Sequence, residues 1–202
     1  MITTLIFDLG NVLVKVNHKL LIETLKNAFD NRITFDELKT FLSSSPNLYA
    51  YQIGSIDSDQ FHRGLQKELN FQIAKDTLKK YWQEILDAID ENVALLPILK
   101  QHYKLAIISD TNPWHVDFIR EKFNIFEHFR ELIFSYEVHL MKPDPQIFEL
   151  TMKCLESEPE TCVYIDDLEH NVEAARQLNM HGIHYKTHPQ LVRELRGFEV
   201  KF

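Results

Sequence analysis

Five short apolar runs, at residues 3–7, 104–108, 132–135, 161–165 and 182–185, constrain this 202-residue chain more than any other feature. They are rich in Ile, Val, Leu and aromatic residues and do not alternate cleanly with polar ones, the pattern of strands covered on both faces. Helical patterns at 113–123, 145–156 and 169–179 separate the last four. Asn112 before Pro113 and Asp144 before Pro145 put a capping side chain ahead of a proline at the first helical position. Strands alternating with helices imply a parallel, doubly wound sheet with right-handed crossovers.

The first run breaks that rhythm. From 16 to 92 no strand pattern is evident, and helices are expected near 19–29, 34–44, 58–69 and 74–88, with another at 91–101. Thr34 with Glu37 forms a capping-box pair, while Ser43 to Asn47 and Gly54-Ser55 read as loops. The expected architecture is α/β. A Rossmann-like parallel sheet core at 1–15 and 93–202 has helices on both faces, and an all-α cap is inserted at 16–92.

Apolar residues make up 45% of the chain and charged residues 26%, an ordinary globular balance. The net charge of −8 argues against a nucleic-acid or anionic-membrane partner. No apolar stretch approaches the ~20 residues that cross a bilayer. Met1 to Leu5 carries no basic segment of the kind that opens a signal peptide. Cys154 and Cys162 are not at metal-ligand spacing and read as buried, reduced thiols. A cytoplasmic monomer or homodimer is expected.

In open parallel sheets, ligands bind beyond the carboxyl ends of the strands. Asp8, Ser109 and Asp166 each follow an apolar run at that edge, and Lys142 lies a few residues past another. Asp8 taken alone reads as a turn aspartate. In this company it reads as a nucleophile that forms an aspartyl-phosphate. Ser109 and the backbone about Asp110 precede a helix start, where hydroxyl and N–H groups can hold phosphate oxygens. Lys142, set before Pro143-Asp144-Pro145, would draw two carboxylate sites together and offset phosphate charge. Adjacent carboxylates such as Asp166-Asp167 are costly at a strand end unless paired or metal-bound. A hard, all-oxygen site suits Mg²⁺. The expected ligands are Asp8, the Gly10 carbonyl and Asp166, supported from behind by Asp167 and Asn171.

Together these residues resemble the haloacid-dehalogenase-like hydrolase superfamily. The four motifs are Asp8-Leu9-Gly10-Asn11-Val12, Ser109-Asp110-Thr111-Asn112, Lys142-Pro143-Asp144, and Asp166-Asp167 with Asn171. The insertion after residue 16 is similar to the family's helical cap of the first type. The resemblance implies a Mg²⁺-dependent phosphatase acting on a small phosphorylated metabolite. Asp8 would be its nucleophile, Ser109 would hold the transferring phosphoryl group, Lys142 would bridge charges and Asp166 would bind the metal. More narrowly, the chain is similar to bacterial sugar-phosphate phosphatases, including enzymes acting on glucose 1-phosphate. In that subgroup the position before the cap glycine commonly carries arginine, whereas this chain has Ile53, preceded by Gln52. Tyr51, Gln52 and Asn112 are the candidate substrate contacts, and cap packing explains Tyr51 and Gln52 about equally well.

Gly10 stands where most family phosphatases and mutases keep an aspartate that protonates the leaving alcohol and then activates water. Such acid–base help is typically worth ~10²–10⁴ in rate. The glycine would permit a sharp turn and leave a carbonyl free for a metal. Without the acid, a substrate with a good leaving group, such as an anomeric phosphate, is favoured. A haloacid dehalogenase using Asp8, or a catalytically impaired phospho-ligand binding protein, are the alternatives. A mutase is disfavoured because it depends on acid–base help at both ends of its cycle.

Overall fold

The computed structural model describes residues 1–30 and 32–201. Asn31, inside the expected cap, and Phe202, at the end of the expected core, lie outside the described residues. The chain opens with β1 (Thr4–Phe7) and β2 (Val14–Val16). The helices α1 (His18–Ala28), α2 (Phe35–Ser44), α3 (Pro46–Gln52), α4 (Ser58–Glu68) and α5 (Lys75–Gln83) follow. Next come β3 (Leu86–Ala88), α6 (Asp90–Val93), α7 (Leu96–Leu99), β4 (Lys104–Ser109) and α8 (Pro113–Lys122). The last part holds β5 (Glu131–Phe134), α9 (Ser135–Val138), α10 (Pro145–Leu155), β6 (Cys162–Asp166), α11 (Glu169–Gln177), β7 (His181–His184) and α12 (His188–Gly197).

The main sheet has the order β5-β4-β1-β6-β7, and every neighbouring pair is parallel. From central β1 the chain builds β4 and β5 on one side, then crosses to β6 and β7 on the other. That reversal makes the carboxyl end of β1 a topological switch point, where such sheets open a crevice. Asp8 follows β1 there, flanked by Ser109 at the end of β4 and Asp166 at the end of β6. Alternate residues of these strands feed two cores. Leu5, Phe7, Leu105 and Ile107 share one with Val116 and Ile119 of α8 and Leu191 and Leu195 of α12. Ile6, Ala106 and Ile108 share the other with Ile147, Phe148 and Leu155 of α10. Burial on both faces is why the strands read as unbroken apolar runs.

The helix caps follow the sequence signals. Asn112 accepts from the His115 N–H and Asp144 from the Gln146 N–H, each ahead of its proline. Thr34 and Glu37 exchange both bonds of a capping box. Between residues 43 and 101 the outcome differs in three places. The helix expected over 74–88 stops at Gln83, and Leu86–Ala88 is a strand paired antiparallel with Val14–Val16. A strand this short carries too few residues for a period-2 signal, and its pairing partner lies far away in sequence. The serines and proline read as a loop at 43–47 instead start α3: Ser45 accepts from the Leu48 N–H and Pro46 takes the first helical position. The expected helix at 91–101 is two short helices, α6 and α7. Neither cysteine is in a disulfide, and Cys162 is buried while Cys154 is half-buried. Among the described residues no helix is long and apolar enough to cross a membrane.

Candidate active site

Beyond the carboxyl ends of β1, β4 and β6, one lysine meets a group of carboxylates. Lys142 donates to Oδ1 of Asp8 at 2.7 Å and to Oδ2 of Asp166 at 2.8 Å. Its side chain is 3% exposed, and those of Asp8 and Asp166 are 9% and 0% exposed. Asp110 holds the lysine loop in place, accepting from the Lys142 backbone N–H at 3.0 Å. Its carboxylate is thus committed to that loop and would repel phosphate, so any phosphate contact from residue 110 falls to its backbone. Ser109 is buried, and its hydroxyl bonds to no other described residue.

Asp166 and Asp167 are adjacent but differently used. Asp166 accepts from the Leu168 N–H at 2.7 Å through Oδ1. Through Oδ2 it accepts from Lys142, from Asn171 Nδ2 at 3.1 Å and from the Tyr164 hydroxyl. Asp167 is half-buried, and its carboxylate takes one side-chain bond, from Asn11 Nδ2 at 3.2 Å. Tyr164 and Asn11 were not picked out as site residues from sequence. The signal for Tyr164 is its place two residues before Asp166, on the same face of a strand. The signal for Asn11 is its residue type, since asparagine adopts left-handed backbone more readily than most residues. Asn11 has φ of 52°, and its Oδ1 accepts from the Val16 N–H at 3.1 Å. Asn11, rather than Gly10, therefore carries the turn. A Cβ built on Gly10 would meet only Val16 Cγ2, at 3.7 Å, so neither space nor backbone conformation demands a glycine there. No described donor reaches the Gly10 carbonyl.

The electrostatics call for another positive charge. Burial pushes the Asp8 carboxyl up to about 7; Lys142 opposes the shift, and repulsion from Asp166 and Asp167 adds to it. Burial also raises Asp110 and Asp167. For Lys142, burial works downward, but the charges of Asp8, Asp166 and Asp110 outweigh it and keep the amine charged. One oxygen each from Asp8, Asp166 and Asp167 lies within 4.8 Å of the others, a spacing that can hold a metal ion. Behind them, the Oδ1 of Asn171 is buried with no hydrogen-bond partner, an acceptor suited to a metal-bound water. An all-oxygen set of clustered carboxylates, with one free carbonyl beside it, fits Mg²⁺.

A model of the haloacid dehalogenase-like hydrolases matches residues 2–179 of this sequence. The chain belongs to that family. Among relatives of this hydrolase, pyrophosphatase PpaX of Listeria monocytogenes is 26% identical over 181 residues, covering 87% of this chain and 79% of its own. The D-ribitol-5-phosphate phosphatase of Bacteroides thetaiotaomicron is 21% identical over 188 residues, covering 88% and 89%. A family enzyme from Bacteroides thetaiotaomicron, solved in complex with magnesium and inorganic phosphate, superposes with a TM-score of 0.82. It is 23% identical and covers 92% of this hydrolase and 95% of its own chain, which establishes the shared fold.

The substrate residues expected from sequence part company. Tyr51 is fully buried, stacked on Phe61 with ring centroids 4.4 Å apart, and its hydroxyl shares a 2.8 Å hydrogen bond with Ser58. That is a core position among the inserted helices. Gln52 and Asn112 instead line one small cavity of about 50 Å³ between those helices and α8. The same corner holds the insertion against the core. The Ser135 hydroxyl donates to the Gln52 carbonyl at 2.7 Å and accepts from the Thr111 N–H at 2.9 Å. His139 Nδ1–H donates to the Ile53 carbonyl at 2.9 Å. Gly54 has φ of +72°, and a Cβ there would come within 2.0 Å of the Tyr136 carbonyl oxygen, so only glycine closes this contact.

Proposed function

We propose that this hydrolase is a Mg²⁺-dependent phosphatase that cleaves a small phosphorylated metabolite through an aspartyl-phosphate on Asp8. The observation that carries the reading is the Lys142 bridge between Asp8 and Asp166, beside the further carboxylate of Asp167. A phosphoryl group brings negative charge to a site already crowded with carboxylates. A lysine and a divalent cation are what make that tolerable.

The metal ligands we assign are Asp8, Asp167 and the Gly10 carbonyl. Asp166, with both oxygens already engaged, serves mainly to hold Lys142. When bound, Mg²⁺ would offset the charge of the phosphoryl oxygens against the carboxylates. The Asp8 oxygen attacks phosphorus, the bond to the leaving oxygen breaks, and that oxygen takes a proton from water. Lys142 keeps Asp8 ionised and aimed, and Ser109 donates to a phosphoryl oxygen. Water then attacks the same phosphorus and gives its proton to the hydroxide left by the first step, the Asp8–phosphorus bond breaks, and inorganic phosphate leaves with Asp8 restored. The helices from α1 to α5 act as the cap that covers the crevice and contacts the leaving group.

The relatives include a pyrophosphatase and a sugar-alcohol phosphatase, so both support phosphate-ester or anhydride chemistry without naming the substrate here. The test is Mg²⁺-dependent phosphate release from p-nitrophenyl phosphate by the wild type and by Asp8→Asn. Loss of turnover in the variant is expected, and full retention would remove Asp8 as nucleophile. Halide release from 2-haloacids without Mg²⁺ would favour a dehalogenase instead.

A further inference from the structure

Strand β6 sends Tyr164 and Asp166 to the same face, two residues apart. Tyr164 shares the second core with Ile6, Ala106, Ile108 and Ile147. Phe148 of α10 meets its ring edge-on, with centroids 5.1 Å apart. A phenylalanine would fill the same space, so packing accounts for the ring and leaves the hydroxyl unexplained. That hydroxyl belongs to a fully buried side chain and bonds to one described group, Oδ2 of Asp166. Burial and the charges of Asp166 and Asp8 push the phenol well above its ordinary value, so it stays protonated and donates.

Asp166 acts on the reaction through Lys142. Its Oδ1 is held by the Leu168 N–H, and its Oδ2 takes Lys142, Asn171 and Tyr164. Those donors match in number the roughly four lone-pair sites of an ionised carboxylate. Asp166 therefore cannot turn toward the metal position without losing a bond. The amine of Lys142 has three N–H bonds and uses two of them on Asp8 and Asp166. The third is left for a phosphoryl oxygen, and the place of Asp166 sets where it points. The Tyr164 hydroxyl, entering from the apolar side, shares the charge of Asp166 with the lysine. Without it the carboxylate would hold Lys142 more closely and could turn, drawing the amine away from Asp8. Donors fixed before the reaction stabilise developing charge with no reorganisation at the moment of transfer.

We infer that Tyr164 is a positioning residue for phosphoryl transfer: its hydroxyl locks Asp166, and through Asp166 it aims Lys142 at Asp8 and the transferring phosphoryl group. The inference rests on the phosphatase reading above. It adds to that reading a residue that touches neither substrate nor metal.

The experiment is Tyr164→Phe, which keeps the ring and removes the hydroxyl. With Mg²⁺ and p-nitrophenyl phosphate, kcat should fall about tenfold or more, the scale of losing one hydrogen bond to a charged group, while KM changes little. Orthovanadate copies the five-coordinate phosphorus of the transfer step. It should inhibit the variant more weakly than the wild type by the same factor, while inorganic phosphate inhibits both alike. Neither inhibition constant depends on how much of the protein is folded, so a purely structural role moves neither. Wild-type kcat and wild-type vanadate inhibition in Tyr164→Phe overturn the inference and leave the phosphatase standing. A lower kcat with unchanged vanadate inhibition makes the hydroxyl a stabilising group and overturns the inference as well. A wild type that releases no phosphate from p-nitrophenyl phosphate or any other monoester overturns the phosphatase reading, and the inference with it.

Discussion

Lys142 Nζ sits 2.7 Å from Asp8 Oδ1 with both side chains nearly shut off from solvent. Breaking a buried pair by removing one partner typically costs ~3–5 kcal/mol, because the other charge is left uncompensated. Lys142→Met should therefore lower unfolding free energy by a few kcal/mol in chelator, read by urea titration. Phosphate release should fall at least ~10²-fold, the scale of losing one charge-stabilising donor. A variant as stable and as active as the wild type would mean the bridge matters to neither.

Asp166 and Asp167 should separate in their effects. Asp167→Asn removes a ligand's charge and should raise the Mg²⁺ concentration for half-maximal activity by more than the ~10–100-fold typical of losing a group behind the ligands, with a small change in Tm. Asp166→Asn disturbs the acceptor of Lys142, Tyr164 and Asn171. It should lower Tm more and shift the Mg²⁺ requirement less. The opposite pattern would make Asp166 the ligand and Asp167 its support.

Gly10→Asp has room, since the nearest atom to the new Cβ is 3.7 Å away. If an acid is what the site lacks, the variant should gain more on alkyl phosphates than on anomeric phosphates of the same sugar. The expected gain on the alkyl series is ~10–10², at or below the lower end of the ~10²–10⁴ typical of general acid help. The measurement is the ratio of kcat between the two series. An unchanged ratio would mean that another group, or water, already supplies the proton fully.

Acid should weaken the fold through His115. Its folded pKa is about 4, lowered chiefly by burial, against ~6.5 in an unfolded chain. Between those values the unfolded chain binds the proton and the folded one does not. The contribution is complete above pH ~6.5 and is lost as pH falls toward 4, by at most ~3 kcal/mol since the ring is not wholly buried. His115→Gln should show a smaller drop in urea midpoint from pH 7 to pH 5 than the wild type. An identical drop would place the acid sensitivity elsewhere.

Asp8, Ser109 and Asp166 were legible as neighbours because parallel strands deliver their carboxyl ends to one edge. A polar residue after each apolar run then falls there without any knowledge of the loops. The division of labour between Asp166 and Asp167 was not legible. It depends on donors that arrive from Tyr164, Lys142, Leu168 and Asn171, three of them outside that dipeptide's own strand. Tyr51 and Gln52 are neighbours in sequence, yet one is buried against Phe61 and the other lines the cavity. Helical geometry turns adjacent residues ~100° apart, and this segment falls between the helices expected at 34–44 and 58–69. Gly10 was read as a turn requirement; the left-handed backbone actually falls on Asn11, because the turn closes through the Asn11 side chain onto the Val16 N–H.

Val16 and Leu86 face each other in the small antiparallel ribbon, and everything between them leaves and returns at that one pair. Below the ribbon, the Asn92 amide donates to the Val12 carbonyl at 2.6 Å and ties both stems to the core. No strand of the main sheet takes its register from what hangs beyond. The helical stretch thus leaves and returns through one ribbon and is braced against the core a second time at Gln52, Ile53 and Gly54. A change in those helices therefore reaches the loop after β4 directly, because Ser135 bonds both the Gln52 carbonyl and the Thr111 N–H.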